Sequence, residues 1–527
     1  MTQGVTTLQS ILEVYNPMIS RKRASIKNAT AALLTQAIMM IGQFGVQTVF
    51  VRTLGATYLG ANGLFGNLIQ FLSFAELGIG AAFSYALYRP LAEEDESTIT
   101  AIMHLFKRVY NTIGSIILVG GLILSLFVPW FIHDSSSVPH VRFYFILYLL
   151  STVVSYFFTY NRSLLIADQR SYVNSVNQLI FSALRYIGQI IALLFFHSYF
   201  GYLLLFILGN LFSNIAITYQ SHKRYPYLKQ KTSTAVDPTI IQGIKHNVIG
   251  TVSSKIGSIV VNGTDNILIS KFIGLSIVGL YSNYALVLNS ISTLIAQVFS
   301  AAIASFGNLG VTEKDNTAKQ ITLFNQFTYI NAFVVFFIGL VSFAFFPPFI
   351  QLWLGDTYQL SKTTLTIIII NFVFAQFRPA LNMINAYGLF WGYRIKSIVE
   401  AVVNFGLSLI LVKYTSLGIN GVLIGTVIGN ILVNSWWDPW ILFSGAFHTT
   451  IWSFYRKYWS YLAIFAILLG GEMFALDALN LQITGLLNVL VFGLIVSAIV
   501  FAILLLTFST SKSQKASIRL IREVLHR

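Results

Sequence analysis

The chain has 527 residues, 56% of them hydrophobic and only 10% charged, with a formal net charge of +15. So few charges could not cover the surface of a water-soluble protein of this length. The absence of cysteine excludes disulfides, thiol chemistry and cysteine-bound metal.

Long apolar stretches recur from residue 29 to residue 508. A membrane span needs roughly 20 mostly apolar residues, and fourteen stretches qualify. The N-terminal segment 1–28 is polar, with an interfacial helix expected at 8–18. Its basic run at 21–23 reads as the anchor of an uncleaved first helix, not as a signal peptide. A first lobe, 29–219, holds spans at 29–51, 62–88, 109–131, 141–165, 173–196 and 202–219. A polar, basic connector follows at 220–246. A second lobe, 247–443, holds spans at 247–273, 278–306, 321–347, 363–388, 395–412 and 418–443. Two extra spans, 458–476 and 483–508, lie within 444–508, and the tail 509–527 reads as a basic amphipathic helix at the lipid surface. The expected fold is therefore an all-α polytopic membrane protein of about 14 transmembrane helices. It has two pseudo-symmetric six-helix lobes plus two C-terminal helices.

Lys and Arg orient this map. With the N-terminus inside, cytoplasmic segments hold Arg21, Lys22, Arg23, Lys27, Lys107, Arg108, Arg170, Lys223, Arg224, Lys229 and Lys231. Further along they hold Lys314, Lys319, Arg394, Lys396, Arg456, Lys457 and the basic tail. The expected outer loops hold no Lys or Arg, apart from Lys362 and Lys413 at two edges. Both termini are thus expected in the cytoplasm, and the net positive charge faces anionic lipid rather than nucleic acid. Trp436, Trp437, Trp440, Trp452 and Trp459 form an expected inner aromatic belt. The acidic run Glu93, Glu94, Asp95 and Glu96 reads as a solvated cytoplasmic loop.

A repeat at a constant offset of 219 residues links the lobes. Arg52 falls on Lys271, Gly55 on Gly274 and Gly60 on Gly279. Gln36, Gln43 and Gln47 fall on Lys255, Asn262 and Asn266. Steps of seven and eleven return to one helix face, so each copy carries one polar stripe. Both copies run from inside to outside, which makes the repeat parallel.

Charge at the bilayer centre costs roughly 2.5–3.5 kcal/mol per residue. Arg52, Arg142, Arg162, Lys271, Lys413, Asp438 and Glu472 lie near span ends, where side chains can snorkel. Six charges remain at depth: Glu76, Arg185, Lys255, Asp265, Arg378 and Glu400. They are expected to line a polar cavity between the halves, although structural ion pairing is the competing reading for each. Arg378 precedes Pro379, which would kink span ten. Arg185, Lys255 and Arg378 together suit a pyrophosphate, with the Gln and Asn stripes as hydrogen-bond donors to a polar head. Glu76, Asp265 and Glu400 are candidates for ion coupling or gating, and Arg52 and Lys271 lie at the outer mouth. No HExxH or GxxxxGK[ST] pattern occurs, so neither metal catalysis nor ATP hydrolysis is expected. The chain is not expected to be an enzyme or to hold a cofactor, beyond a transported proton or sodium ion.

The stretches RTLGATYLGANGLFGNLIQFLSFAELGIGAAFSYALYRPLAEEDE (52–96) and TDNILISKFIGLSIVGLYSNYALVL (264–288) resemble the second-helix and the seventh- and eighth-helix regions of Wzx-type flippases. These flippases belong to the multidrug/oligosaccharidyl-lipid/polysaccharide (MOP) exporter superfamily. The resemblance spans roughly the first twelve helices. It implies alternating access by two six-helix lobes in the bacterial plasma membrane. The implied substrate is an undecaprenyl-pyrophosphate-linked oligosaccharide, moved from the inner to the outer leaflet for surface polysaccharide export. Partners would be that lipid-linked oligosaccharide, membrane lipids and polymerase or synthase components. It also implies basic residues lining the cavity, for which Arg185, Lys255 and Arg378 are the candidates. Two extra helices occur in lipid II flippases and some teichoic-acid exporters, so those substrates stay open. A multidrug exporter of the same superfamily and a non-transporting scaffold of a polysaccharide synthase are the remaining alternatives.

Overall fold

Glycines mark where the long helices break. The computed structural model describes residues 17–76, 78–230, 236–312, 316–481 and 483–508. The tail 509–527 and most of the segment 8–18 lie outside the described residues. The elements are α1 (Pro17–Leu72), α2 (Ile79–Ala92), α3 (Glu96–Phe127), α4 (Val141–Tyr156), α5 (Thr159–Ala167), α6 (Ser171–Phe196) and α7 (Tyr199–Arg224). They continue with α8 (Pro238–Phe272), α9 (Leu275–Thr312), α10 (Thr317–Leu354), α11 (Lys362–Gln376), α12 (Pro379–Tyr387) and α13 (Phe390–Tyr414). The last are α14 (Ile419–Gly429), α15 (Ser435–Leu442), α16 (Trp452–Leu479) and α17 (Leu486–Phe508). No strand occurs among the described residues.

α1 is two helices joined at Gly55, whose φ of 80° and ψ of 177° leave helical geometry. A β-carbon disfavours such a φ, so glycine suits the joint. Its repeat partner Gly274 takes φ 131° between α8 and α9. The same break therefore occurs in both copies of the repeat. Ten single helices are long and apolar enough to cross a membrane, and the α4–α5 pair, bent by 41°, makes eleven. One of the ten, Thr30–Leu72, contains the Gly55 joint and counts twice. α8 and α9, of 35 and 38 residues, complete fourteen. The predicted spans fall on these, except that the second, 62–88, runs past Leu72 through a 3-10 turn into α2 (Ile79–Ala92).

The chain forms two compact units. Unit 1 comprises Met1–Tyr58, Leu68–Trp130 and Ser135–Val252; unit 2 comprises Leu59–Asn67, Phe131–Asp134 and Ser253–Arg527. The change of unit at 252–253 lies inside α8, beyond the 220–246 connector. The core of unit 2 is built on phenylalanine: Phe324, Phe336, Phe377 and Phe447 are fully buried. The last two helices belong to it. Phe336 packs against Phe465 of α16 at 5.1 Å, and Tyr329 and Phe333 meet Phe508 and Phe501 of α17 edge-on at 5.5 Å. Ile467, Phe474, Leu494 and Leu506 on these helices remain more than 70% exposed, which suits hydrocarbon and not water.

The acidic run before α3 has a structural use. Arg89 pairs with Glu93 at 2.8 Å, and Asp95 caps α3 by accepting from Thr98 N–H at 3.0 Å. The bonds with Thr98 hold the Asp95 carboxyl below its usual range.

The repeat glycine Gly60 is needed for close approach within unit 2. A β-carbon there would stand 1.8 Å from the Leu275 carbonyl oxygen and 3.1 Å from the Gly279 nitrogen. Backbone cannot withdraw as a side chain can. Gly63 faces only side chains, with Ser282 Oγ at 3.2 Å and Val278 Cγ1 at 3.3 Å. Gly60→Ala is therefore expected to lower the melting temperature in detergent, at a cost of roughly 1–3 kcal/mol. Gly63→Ala should change it far less. Equal melting of the two variants would contradict this packing.

Candidate functional site

In unit 1, two arginines lie against a ladder of amides. The ladder starts with helical spacing, since Ser151 and Ser155 on α4, and Asn210 and Asn214 on α7, are each four residues apart and share a face. Asn210 Nδ2 donates to the Ser151 carbonyl at 2.9 Å, and Asn214 Nδ2 donates to Ser155 Oγ at 3.3 Å. Both amides thereby turn their oxygens toward guanidinium groups. Arg185 of α6 donates to Asn210 Oδ1 at 3.3 Å. Arg162 of α5 donates to Asn214 Oδ1 and Ser213 Oγ at 3.0 Å each, and to Asn174 Oδ1 at 3.2 Å. The guanidinium of Arg185 also lies 5.0 Å from the Tyr186 ring centre and 4.7 Å from that of Phe206. Its buried Nε has no hydrogen-bond partner.

No carboxylate pairs with either arginine among the described residues. Their anchors are one helical turn apart on α7, about 6 Å, and the hydrogen-bond partners of both half-buried guanidiniums are neutral. Arg162 was expected to snorkel from a span end. The bend before α5 instead turns it inward among these amides.

Unit 2 treats its charges differently. Arg378 precedes Pro379 in the gap between α11 and α12. It donates from Nη2 and Nε to Asp438 Oδ2 at 2.6 and 2.9 Å, and from Nη2 to the Tyr393 hydroxyl at 3.1 Å. Its Nη1 lies 3.9 Å from Glu400 Oε1. Lys396 Nζ reaches Glu400 Oε2 at 2.7 Å and Asp438 Oδ1 at 3.1 Å. Asn434 Nδ2 donates to Glu400 Oε1 at 2.7 Å. Two cations thus meet two anions, and the Lys396 and Asp438 side chains are 0% and 3% exposed.

Three expectations need correction here. Arg378 is committed to carboxylates and is not a free cation for pyrophosphate. Lys396 is not a solvated loop charge, because α13 already begins at Phe390 and turns it inward. Asp438 does not snorkel. Turns of π-helix at Asn430–Asn434 and Phe443–Phe447 flank α15, and Asp438 is buried between them.

The other predicted residues have separate surroundings. Asp265 of α8 is approached by Thr426 Oγ1 at 3.4 Å to both carboxylate oxygens, and Asn404 Nδ2 donates to that hydroxyl at 3.0 Å. The buried oxygens Thr264 Oγ1, Asn266 Oδ1 and Asn404 Oδ1 have no hydrogen-bond partner. Glu76 lies in a 3-10 turn, Ser73–Glu76, that breaks span two, with Gly78 at φ 79° before α2 resumes. The Tyr110 hydroxyl donates to Glu76 Oε1 at 3.1 Å. Gly80 leaves room for that hydroxyl, which would stand 3.1 Å from a β-carbon there. Gln36 and Gln47 are half-buried on α1 and Gln43 is exposed. Arg52 is exposed and Lys271 half-buried, each three residues before its glycine joint. Lys255 and Asn262 are helical positions of α8 whose side chains lie outside the described residues. No group of three or more His, Cys, Asp or Glu that could hold a metal ion occurs among the described residues.

Comparison with known proteins gives this arrangement its class. A family model described as "Polysaccharide biosynthesis protein" matches residues 25–304, more than half of the chain. Among solved structures, the lipid II flippase MurJ in an inward closed conformation aligns with a TM-score of 0.61 at 14% identity, over 92% of this chain and 99% of that one. An inward-facing multidrug resistance MATE family transporter of the MOP superfamily aligns with a TM-score of 0.60 at 19% identity, over 78% and 97%. A MOP superfamily transporter from Pyrococcus furiosus Vc1 aligns with a TM-score of 0.51 at 20% identity, over 80% and 97%. At such identities the likeness shows the fold. No curated protein matches the sequence. The fold is that of a multi-pass MOP-superfamily transporter. The chain belongs to the polysaccharide biosynthesis protein family.

Removing one member of a buried ion cluster leaves its partner uncompensated, at a cost of roughly 3–5 kcal/mol. Asp438→Asn is thus expected to lower the melting temperature strongly. Combining it with Lys396→Met restores neutrality by leaving Arg378 with Glu400. The double variant should melt above the sum of the single effects in a double-mutant cycle. Strict additivity would mean that the four charges do not act as one cluster.

Proposed function

We propose that the chain flips undecaprenyl-pyrophosphate-linked oligosaccharide repeat units from the inner to the outer leaflet of the bacterial plasma membrane, with both termini in the cytoplasm. The observation that carries this reading is the pair of guanidiniums, Arg162 and Arg185, on neutral partners. Charge in a low-dielectric setting seeks a counter-charge, and none comes from the described residues. A diphosphate supplies two or more negative charges, and guanidinium matches phosphate oxygens in paired hydrogen bonds. The amides of the ladder add donors for sugar hydroxyls. Lys255 and the stripe residues Gln36, Gln43, Gln47, Asn262 and Asn266 complete the proposed substrate path on sequence grounds. A transporter of cationic drugs would want the reverse balance, with acids unpaired and bases few.

Asp265 is the proposed coupling carboxylate. Thr426 at the carboxylate, itself held by Asn404, makes a polar setting suited to a proton or a sodium ion. A carboxylate that binds the ion in one state only would bias the exchange between inward and outward states.

The test is complementation in a host lacking its own flippase. With membrane levels matched, Arg162→Ala and Arg185→Ala should each reduce surface polymer about tenfold or more, the loss of a charge-assisted hydrogen bond. Lipid-linked repeat units should accumulate inside. Normal polymer from the double variant would overturn the reading and return a scaffold role to contention. Accumulated lipid II or teichoic-acid precursor in place of repeat units would reassign the substrate. For coupling, Asp265→Asn should abolish the dependence of transport on a sodium or proton gradient. An unchanged dependence would remove Asp265 from that role.

A further inference from the structure

We propose that a cavity in unit 2, enclosed by α9, α10, α11 and the last two helices, binds an uncharged oligosaccharide. Its volume is about 480 Å³, within the usual range of small-ligand sites. The apolar part of the lining includes Phe343, Pro347, Leu365, Leu476 and Phe492. The polar part includes Gln351, Asp356, Gln359, Lys362 and Asp477. A sugar ring presents an apolar C–H face and an edge of hydroxyls, and this lining matches both.

The charges argue against a phosphate. The single cation on the lining, Lys362, is already held by Asp477 Oδ2 at 2.5 Å and the Met473 carbonyl at 3.2 Å. The second acid, Asp356, accepts only from Gln359 Nε2, at 3.3 Å, among side chains. Acceptors for sugar hydroxyls therefore outnumber positive charge. Donors are at hand as well. The Tyr284 hydroxyl accepts from Leu360 N–H at 3.0 Å, which leaves its own proton for a ligand. A polyprenyl chain fits less well, because it would cover these polar groups without replacing the hydrogen bonds that water makes to them.

Position adds to the case. The loops 355–361 and 480–485 near the cavity contain no Lys or Arg, so in the proposed orientation the cavity faces the outer side. A saccharide site there would hold the sugar moiety after translocation. The two C-terminal helices contribute Leu476, Asp477 and Phe492 to its lining. The choice of sugar as ligand rests on the function proposed above.

The experiment is calorimetric titration of the full-length protein in nanodiscs with maltotriose, cellotriose and triacetylchitotriose, and with glucose 1-phosphate as an anionic control. Saturable binding of at least one trisaccharide is expected, without binding of glucose 1-phosphate. The Gln351→Ala/Gln359→Ala double variant should weaken it about tenfold or more. No saturable binding of any trisaccharide would overturn the proposal, as would binding that the double variant leaves undiminished. Saturation by farnesol alone would assign the cavity to a lipid chain and equally overturn it. Because binding is read without transport, trisaccharide binding by a chain that fails to restore polymer would refute the flippase reading and leave this one standing.

Discussion

Hydrocarbon cannot solvate an ion, and every buried charge in this protein answers to that constraint. Unit 2 answers it internally. Arg378, Lys396, Glu400 and Asp438 neutralise one another, and Tyr393 and Asn434 satisfy further donors and acceptors. Such a cluster ties α13 and α15 to the gap before α12, because no member can leave without stranding another. The broken helices follow from the same constraint. The Arg378–Pro379 gap and the π-turns beside α15 free the backbone from regular helix where the side chains must converge.

Unit 1 leaves the constraint open. Arg162 and Arg185 are oriented by amides whose other ends are fixed on α4, so the guanidiniums are positioned but not neutralised. Preorganised donors of this kind favour an anion without having to rearrange for it.

Much of this was legible in the sequence. Span length and apolarity located all fourteen helices, because the backbone in lipid has few other options. The 219-residue repeat pointed to Gly55 and Gly274, and both take the positive φ that only glycine adopts easily. The site was less legible. Distance from a span end is a one-dimensional measure, and it misjudged Arg162 and Asp438, whose burial depends on a bend and on π-turns. Lys396 was misplaced by a boundary set five residues late, although its spacing of four from Glu400 already signalled a pair. The Asn210–Asn214 spacing on span six was likewise an available sign of a polar face. The pairing of Arg378 with Asp438, sixty residues away, could be seen only in three dimensions.

The π-turns beside α15 have a consequence for how such a span can take up an insertion. A wider turn accommodates one additional residue, and each residue advances a helix by on the order of 100°. Each π-turn, at Asn430–Asn434 and at Phe443–Phe447, therefore takes up one residue locally. A single-codon insertion can be absorbed in such a turn while the residues on either side keep the faces they had.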